Sequence, residues 1–272
     1  MKVLRSLAQW RDTRKALTGT VGFVPTMGAL HAGHASLLQR SVAENDVTVA
    51  SIYVNPTQFN DPDDLAAYPS LPAADLEMCD SLGVDHVLIP AREDMYPDDY
   101  RYRVEETELS RELCGAHRPG HFTGVLTVVM KLLNLVRPGR AYFGAKDFQQ
   151  CLLIRRMTEA FFMDVEIVAC ETVREDDGLA LSSRNALLTD DSRKLASRLN
   201  PLLRSPDSDR AVAEELERLG FAVDYIVSRF GRRLAAVSVP GRRGTVRLID
   251  NVELGENGSV NRLGSVRSSA SD

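Results

Sequence analysis

The chain has 272 residues, 44% hydrophobic and 26% charged, which supplies core material for one large or two modest domains and excludes a disulfide-stapled miniprotein and wholesale disorder. Its 33 basic and 38 acidic residues give a net charge of −5, so nothing global recommends a nucleic-acid or anionic-membrane partner, and an anionic substrate needs a local cationic pocket. Cys79, Cys114, Cys151 and Cys170 lie far apart with no C-x-x-C, which argues against a zinc ribbon or redox pair and reads as reduced thiols in a cytosolic protein.

At the N-terminus Lys2 and Arg5 are followed by Gln9, Arg11 and Asp12, which interrupt any apolar run before signal-peptide length, so no export is indicated. Short β-branched runs then alternate with helical patterns. GFVP (22–25) precedes a helix over about 31–45. VTVASIYV (47–54) is followed by a helix over about 72–83, and HVLIP (86–90) by an apolar helix over about 121–137. AYFG (141–144) precedes a helix over about 146–162, and VEIVAC (165–170) closes the series. The runs are apolar on both faces, as a parallel sheet covered by helices on two sides requires, so a doubly wound α/β fold is expected. Phe122 to Val136, the most apolar stretch, contains Lys131 and Asn134 and is too short to span a bilayer, so it reads as a buried helix.

After Glu171 the texture changes to a polar stretch, REDDGLALSSRN (174–185), a helical pattern, the turn-rich RSPDSD (204–209) and a helix to about 219. FAVDYIV, RLAAVSV and TVRLID, separated by Gly and Pro turns, then read as a small antiparallel sheet. The expected organisation is a catalytic α/β domain over 1–175, a small α+β C-terminal domain over 176–254, and a disordered tail over 255–272.

Chemistry concentrates at strand ends. In PTMGALHAGH (25–34), Gly28 and Gly33 bracket a turn, and His31 and His34 share a face at the start of a helix. A helix N-terminus with unpaired backbone N–H groups receives phosphate and disfavours imidazolium, yet neutral imidazoles still donate hydrogen bonds. A capped helix with two surface histidines, or a metal pair lacking further ligands, is the alternative reading of His-x-x-His alone. There is no G-x-G-x-x-G, and Gly28 and Gly33 have Walker A spacing without its Lys. GAKDFQQ (144–150) places Lys146 to neutralise phosphate and Asp147 to meet a ribose hydroxyl or magnesium, or, taken alone, a solvated surface pair. LSSRN (181–185) offers Ser182, Ser183 and Arg184 as an oxyanion clamp or, alternatively, a helix-capping linker. HRPGHF (117–122) places His117, Arg118 and His121 ahead of the apolar helix.

Together, PTMGALHAGH, YVNPTQF (53–59), RPGHFTGV (118–125), FGAKDFQQ (143–150), DGLALSSRN (177–185) and RLIDN (247–251) resemble the pantoate–β-alanine ligase family, whose first motif belongs to the wider HIGH-type nucleotidyltransferases. The resemblance runs in order from about residue 1 to residue 254. It implies a Rossmann-like catalytic domain with a small C-terminal lid, a cytoplasmic homodimer, and condensation of (R)-pantoate with β-alanine. ATP would be split to AMP and diphosphate, with Mg2+, through a pantoyl-adenylate. It assigns the ATP site to Met27, Gly28, Ala29, Leu30, His31, Ala32, Gly33, His34, Gly144, Ala145, Lys146, Asp147, Val173, Leu181, Ser182, Ser183 and Arg184. His34 matches the proton donor, with His31 and Lys146 also catalytic. Gln58 and Gln150 match the glutamines that hold pantoate, Gln58 lying near the β-alanine site. Asn55, Tyr68, Arg118 and His121 match residues lining the same cavity, and Asp75 matches a magnesium contact. The chain departs from the family in having Ala145 where Glu is usual, Ser70 where Arg is common, and a shortened segment at 204–209. A nucleotidyltransferase acting on a phosphate, a catalytically weakened nucleotide-binding protein and a histidine metal site are the rival readings.

Overall fold

The computed structural model describes residues 1–255 apart from residues 61 and 67. The tail, expected to be disordered, lies almost wholly outside the described residues. The strands are β1 (Lys2–Leu4), β2 (Val21–Thr26), β3 (Val47–Ile52), β4 (His86–Leu88), β5 (Arg140–Gly144), β6 (Glu166–Cys170), β7 (Ala222–Arg229), β8 (Arg232–Pro240) and β9 (Thr245–Glu253). The helices are α1 (Leu7–Ala16), α2 (Ala32–Glu44), α3 (Pro62–Ala66), α4 (Pro72–Ser81), α5 (Arg92–Met95), α6 (Cys114–His117), α7 (His121–Val136), α8 (Phe148–Ala160), α9 (Asp190–Ala196), α10 (Leu199–Leu203) and α11 (Asp209–Leu219).

The chain forms two compact units. The first comprises Met1–Val173 and Leu181–Ser183; the second comprises Arg174–Ala180 and Arg184 onward. The chain leaves the first unit at Val173 and returns for Leu181–Ser183. Leu181 N–H donates to the Val173 carbonyl at 3.0 Å, which ties the returning segment to the departing one.

In the first unit six parallel strands run in the order β1-β4-β3-β2-β5-β6. The strands are apolar on both faces because helices cover both: Phe23, Val24, Val49, Val87, Ala141 and Tyr142 are fully buried. The apolar stretch expected as a buried helix is α7, most of whose residues are buried. No described helix is long and apolar enough to cross a membrane. The sequence reading passed over β1 and α1. Ser6 caps α1 by accepting from Gln9 N–H, and α1 is fastened where Trp10 Nε1 and Arg14 Nε each donate at 2.7 Å to the Leu135 and Val136 carbonyls of α7. All four cysteines are buried free thiols.

The second unit holds the antiparallel sheet β7-β8-β9, as the alternating C-terminal runs predict. Leu199, Leu203, Leu216 and Val237 lie in its apolar core. Its buried charges are paired. Asp250, with a side chain 1% exposed, receives Arg174 through two bonds of 2.7 and 2.8 Å and Asn200 Nδ2 at 3.0 Å. Arg233 donates to Asp209 and to the carbonyls of Leu203, Ser205 and Asp207.

Candidate active site

The parallel strand order reverses between β2 and β5: β3, β4 and β1 extend one side of β2, and β5 and β6 the other. In open α/β sheets the crevice at the carboxyl ends beside such a reversal receives ligands, because the two following loops diverge there. The loop after β2 is Met27–His31 and the turn after β5 is Ala145–Asp147, so the topology itself brings PTMGALHAGH and GAKD to one edge.

His31 is the N-cap of α2 and His34 its third helical residue. His31 Nδ1 accepts from Gly33 N–H at 3.1 Å, and His34 Nδ1 accepts from His31 N–H at 3.4 Å. This is a capping box built from two imidazoles. With Nδ1 an acceptor in each ring, the neutral tautomer carries its proton on Nε2. The rings lie 4.1 Å apart between centroids. Burial, then the positive field of Lys146, push His31 down to about 4, against an opposing pull from Asp147. Burial, then His31, then Lys146 push His34 down to about 3. Both are neutral at pH 7, and Lys146 lies within electrostatic reach of both, its Nζ 3.9 Å from Asp147.

Ahead of α2, the backbone N–H groups of the loop are taken up within the protein. Gly28 N–H donates to Thr26 Oγ1, and Ala29 and Leu30 N–H donate to the two Asp75 carboxylate oxygens at 2.9 and 2.7 Å. Asp75 is 2% exposed, and among the described residues no group of three or more His, Cys, Asp or Glu side chains could hold a metal ion. Both oxygens of Asp75, the residue expected at a magnesium contact, face backbone donors.

The loop after β3 carries the amides. Asn55 is 1% exposed and donates Nδ2 to Gln58 Oε1 at 3.1 Å and to the Gly124 carbonyl at 3.2 Å. Asn55 Oδ1 in turn accepts from Tyr96 OH at 2.7 Å and Thr57 Oγ1 at 3.0 Å. Gln58 Nε2 points to Met27 Sδ at 3.1 Å, so the β2 and β3 loops touch. A Cβ on Gly124 would collide with the Thr57 carbonyl, so only glycine lets α7 approach this loop. The start of α7 completes the join: His121 Nδ1–H donates to the Gln58 carbonyl at 2.8 Å, leaving Nε2 to accept from Arg118 at 3.2 Å. Here the proton sits on Nδ1, the reverse of His31 and His34. Tyr68 meets Phe59 edge-on at 5.7 Å.

Gln150 lies half-buried in the first turn of α8. Its neighbour Gln149 is buried and ties the chain at 109–114 by accepting from Cys114 N–H and donating to the Leu109 and Glu112 carbonyls. Val173, Leu181, Ser182 and Ser183 belong to the first unit and Arg184 to the second. Sequence reasoning missed Tyr96 and the loop-holding use of Asp75. Neither sits in a spacing pattern, and each acts from 40 or more positions away in the chain.

A family model described as pantoate-beta-alanine ligase matches residues 1–253. The pantothenate synthetase of Bdellovibrio bacteriovorus is 53% identical over 253 residues, covering 93% of this chain and 99% of that protein. The Legionella pneumophila pantothenate synthetase is 50% identical over 253 residues, covering 92% and 99%. Among solved structures, the pantoate-beta-alanine ligase of Francisella tularensis, complexed with beta-gamma ATP and beta-alanine, has a TM-score of 0.87 at 40% identity, covering 93% of this chain and 97% of that one. The pantothenate synthetase of Thermus thermophilus has a TM-score of 0.84 at 40% identity, covering 93% and 99%.

Proposed function

The chain belongs to the pantoate–β-alanine ligase family, and from that premise we propose how its residues carry out the ATP-dependent condensation of (R)-pantoate with β-alanine. The observation that carries the assignment is the neutral His31–His34 pair beside Lys146 at the sheet's reversal point. In the first step the pantoate carboxylate attacks the ATP α-phosphorus and diphosphate leaves. Negative charge grows on the phosphate oxygens, so the site must donate hydrogen bonds and positive charge without supplying a competing nucleophile.

His31 and His34 donate Nε2–H to those oxygens. A ring pushed down to about 3 carries no spare proton at pH 7, so His34 acts as a neutral hydrogen-bond donor, not as an imidazolium acid. Lys146 supplies the fixed charge, and Ser182 and Ser183 supply hydroxyls. Asp147 binds the ribose, while Met27 through Gly33, Gly144, Ala145, Val173 and Leu181 line the nucleotide. Arg184 is assigned to the nucleotide by its motif. Gln58 and Gln150 hold pantoate through uncharged amides, with Asn55, Tyr68, Arg118 and His121 around them. In the second step the β-alanine amine attacks the acyl carbon and AMP departs, with no covalent enzyme intermediate. A cytoplasmic homodimer belongs to the same reading, and light scattering tests the dimer.

Isotope exchange between ATP and diphosphate tests the reaction: exchange that requires pantoate but not β-alanine supports it. ATP binding without exchange under any carboxylate overturns it.

A further inference from the structure

The loop after β2 adopts a backbone that needs explaining. Gly28 and Ala29 have φ of 81° and 50°, and the alanine is in a region that L residues occupy only where their surroundings over-determine it. Left-handed turns of this kind aim successive N–H groups to one side and make a concavity that takes anions. The occupant is Asp75, from the first turn of α4. Its Oδ2 accepts from Ala29 N–H at 2.9 Å and its Oδ1 from Leu30 N–H at 2.7 Å. A Cβ at Gly28 would come within 2.9 Å of Asp75 Oδ2, so the glycine serves both the turn and the carboxylate.

We propose that Asp75 is a positioning residue: an internal anion that holds Met27–Leu30 in the shape that presents His31 and His34, and that it does not ligate magnesium. One observation supports this besides the hydrogen bonds. Magnesium keeps near-octahedral oxygen geometry and several waters, which a carboxylate 2% exposed and walled by the loop does not admit. The hydrogen bonds themselves set the positive ends of two backbone N–H dipoles where a cation would stand. Because the seat is filled from within, Ala29 and Leu30 N–H are spent on the protein, and phosphate recognition passes to the imidazole Nε2–H groups and Lys146.

The inference rests on the proposed adenylation for its kinetic test. Asp75→Asn keeps the shape but sets an amide NH2 against a backbone N–H. In pantoate-dependent exchange it is expected to lower kcat tenfold or more and raise the KM for ATP, while the half-saturating Mg2+ concentration stays within twofold of the parent protein. Gly28→Ala, whose Cβ would come within 2.9 Å of Asp75 Oδ2 and push the carboxylate off the loop, is expected to give the same pattern. A several-fold rise in Mg2+ requirement that Mn2+ relieves, or unchanged exchange by Asp75→Asn, overturns the proposal. A second measurement needs neither variant folding nor activity: Mn2+ added without nucleotide to the isotope-labelled parent protein leaves the Ala29 and Leu30 amide resonances sharp. Selective broadening of that pair overturns the proposal even where exchange is normal, and absent exchange in the parent protein sinks the adenylation reading instead.

Discussion

The two units differ in how much paired charge they bury. In the first, the buried polar side chains at the sheet's carboxyl edge are mostly uncharged amides and an imidazole, Asn55, Gln58, Gln149 and His121, and their partners are largely the backbone of loops. The one buried carboxylate there among the described residues, Asp75, also holds backbone. In the second, the buried charges are paired, Arg174 with Asp250 and Arg233 with Asp209, and Arg233 also holds the Leu203, Ser205 and Asp207 carbonyls. Amides and N–H acceptors fix a loop's shape while adding little field, which leaves Lys146 to set the local potential. Paired ions satisfy each other and lend nothing to a ligand. On the proposed function, the difference separates residues that shape a reaction from residues that secure a fold.

The largest effect is expected where that separation is most one-sided. Removing one member of a buried ion pair strands the other charge, at about 3–5 kcal/mol. Arg174→Ala leaves Asp250 with Asn200 and its neighbour's N–H as remaining donors. Hydrogen exchange should show β8 and β9 amides losing protection while β2 and β3 keep theirs; unchanged protection would mean the pair is dispensable.

His34→Ala is next. Losing a preorganised donor to a developing oxyanion lowers the rate by about 100-fold or more, read in the diphosphate exchange at saturating ATP. A full-rate variant with only a raised KM would move His34 from the transition state to ground-state binding. Lys146→Ala should lower kcat and also raise the KM for ATP by about tenfold if, as proposed, its charge acts on both bound ATP and the transition state. Neither change should alter protection in β8 and β9, which sharpens the contrast with Arg174.

Tyr96→Phe removes one hydrogen bond from a neutral network, about 1 kcal/mol or roughly fivefold. Tyr96 OH fixes Asn55 Oδ1, and Asn55 Nδ2 fixes Gln58 Oε1, so the loss should appear in the KM for pantoate with the KM for ATP unmoved. Equal changes in both would make Tyr96 a general packing residue.

These residues also mark how far the sequence was legible. The strand–helix alternation gave the parallel sheet, because runs apolar on both faces have few other places to go, and the C-terminal alternation gave the antiparallel sheet. α1 was missed: its mean hydropathy is low and its anchoring rests on Trp10 and Arg14 reaching carbonyls more than 120 positions away. The motifs placed His31, His34 and Lys146 at strand ends, and the strand order supplies their meeting. Asp75 and Tyr96 were not legible in these roles, since a carboxylate bound to two backbone N–H groups has the same letter as one awaiting a metal. The capping by imidazole was hidden for a similar reason: Ser, Thr, Asp and Asn usually fill that position.

The smallest expected change is a null, and it tests the tautomers directly. An ordinary histidine titrates near 6.5, whereas His31 and His34 are lowered to about 4 and about 3. Nitrogen-15 spectra of the imidazoles should therefore show both rings neutral with Nε2 protonated and unshifted from pH 8 to pH 5.5, while His121 shows the proton on Nδ1 wherever it is neutral. The linked effect on stability has a fixed sign. The unfolded chain takes up protons at these two positions below about 6.5 that the folded chain refuses until about 4 and 3, so their contribution to stability is complete above 6.5 and is lost as pH falls through that window. His34→Asn should flatten that acid slope. An Nδ1–H signal on His34 at neutral pH would break the capping geometry, and with it the assignment of a neutral donor to a site that must meet phosphate charge.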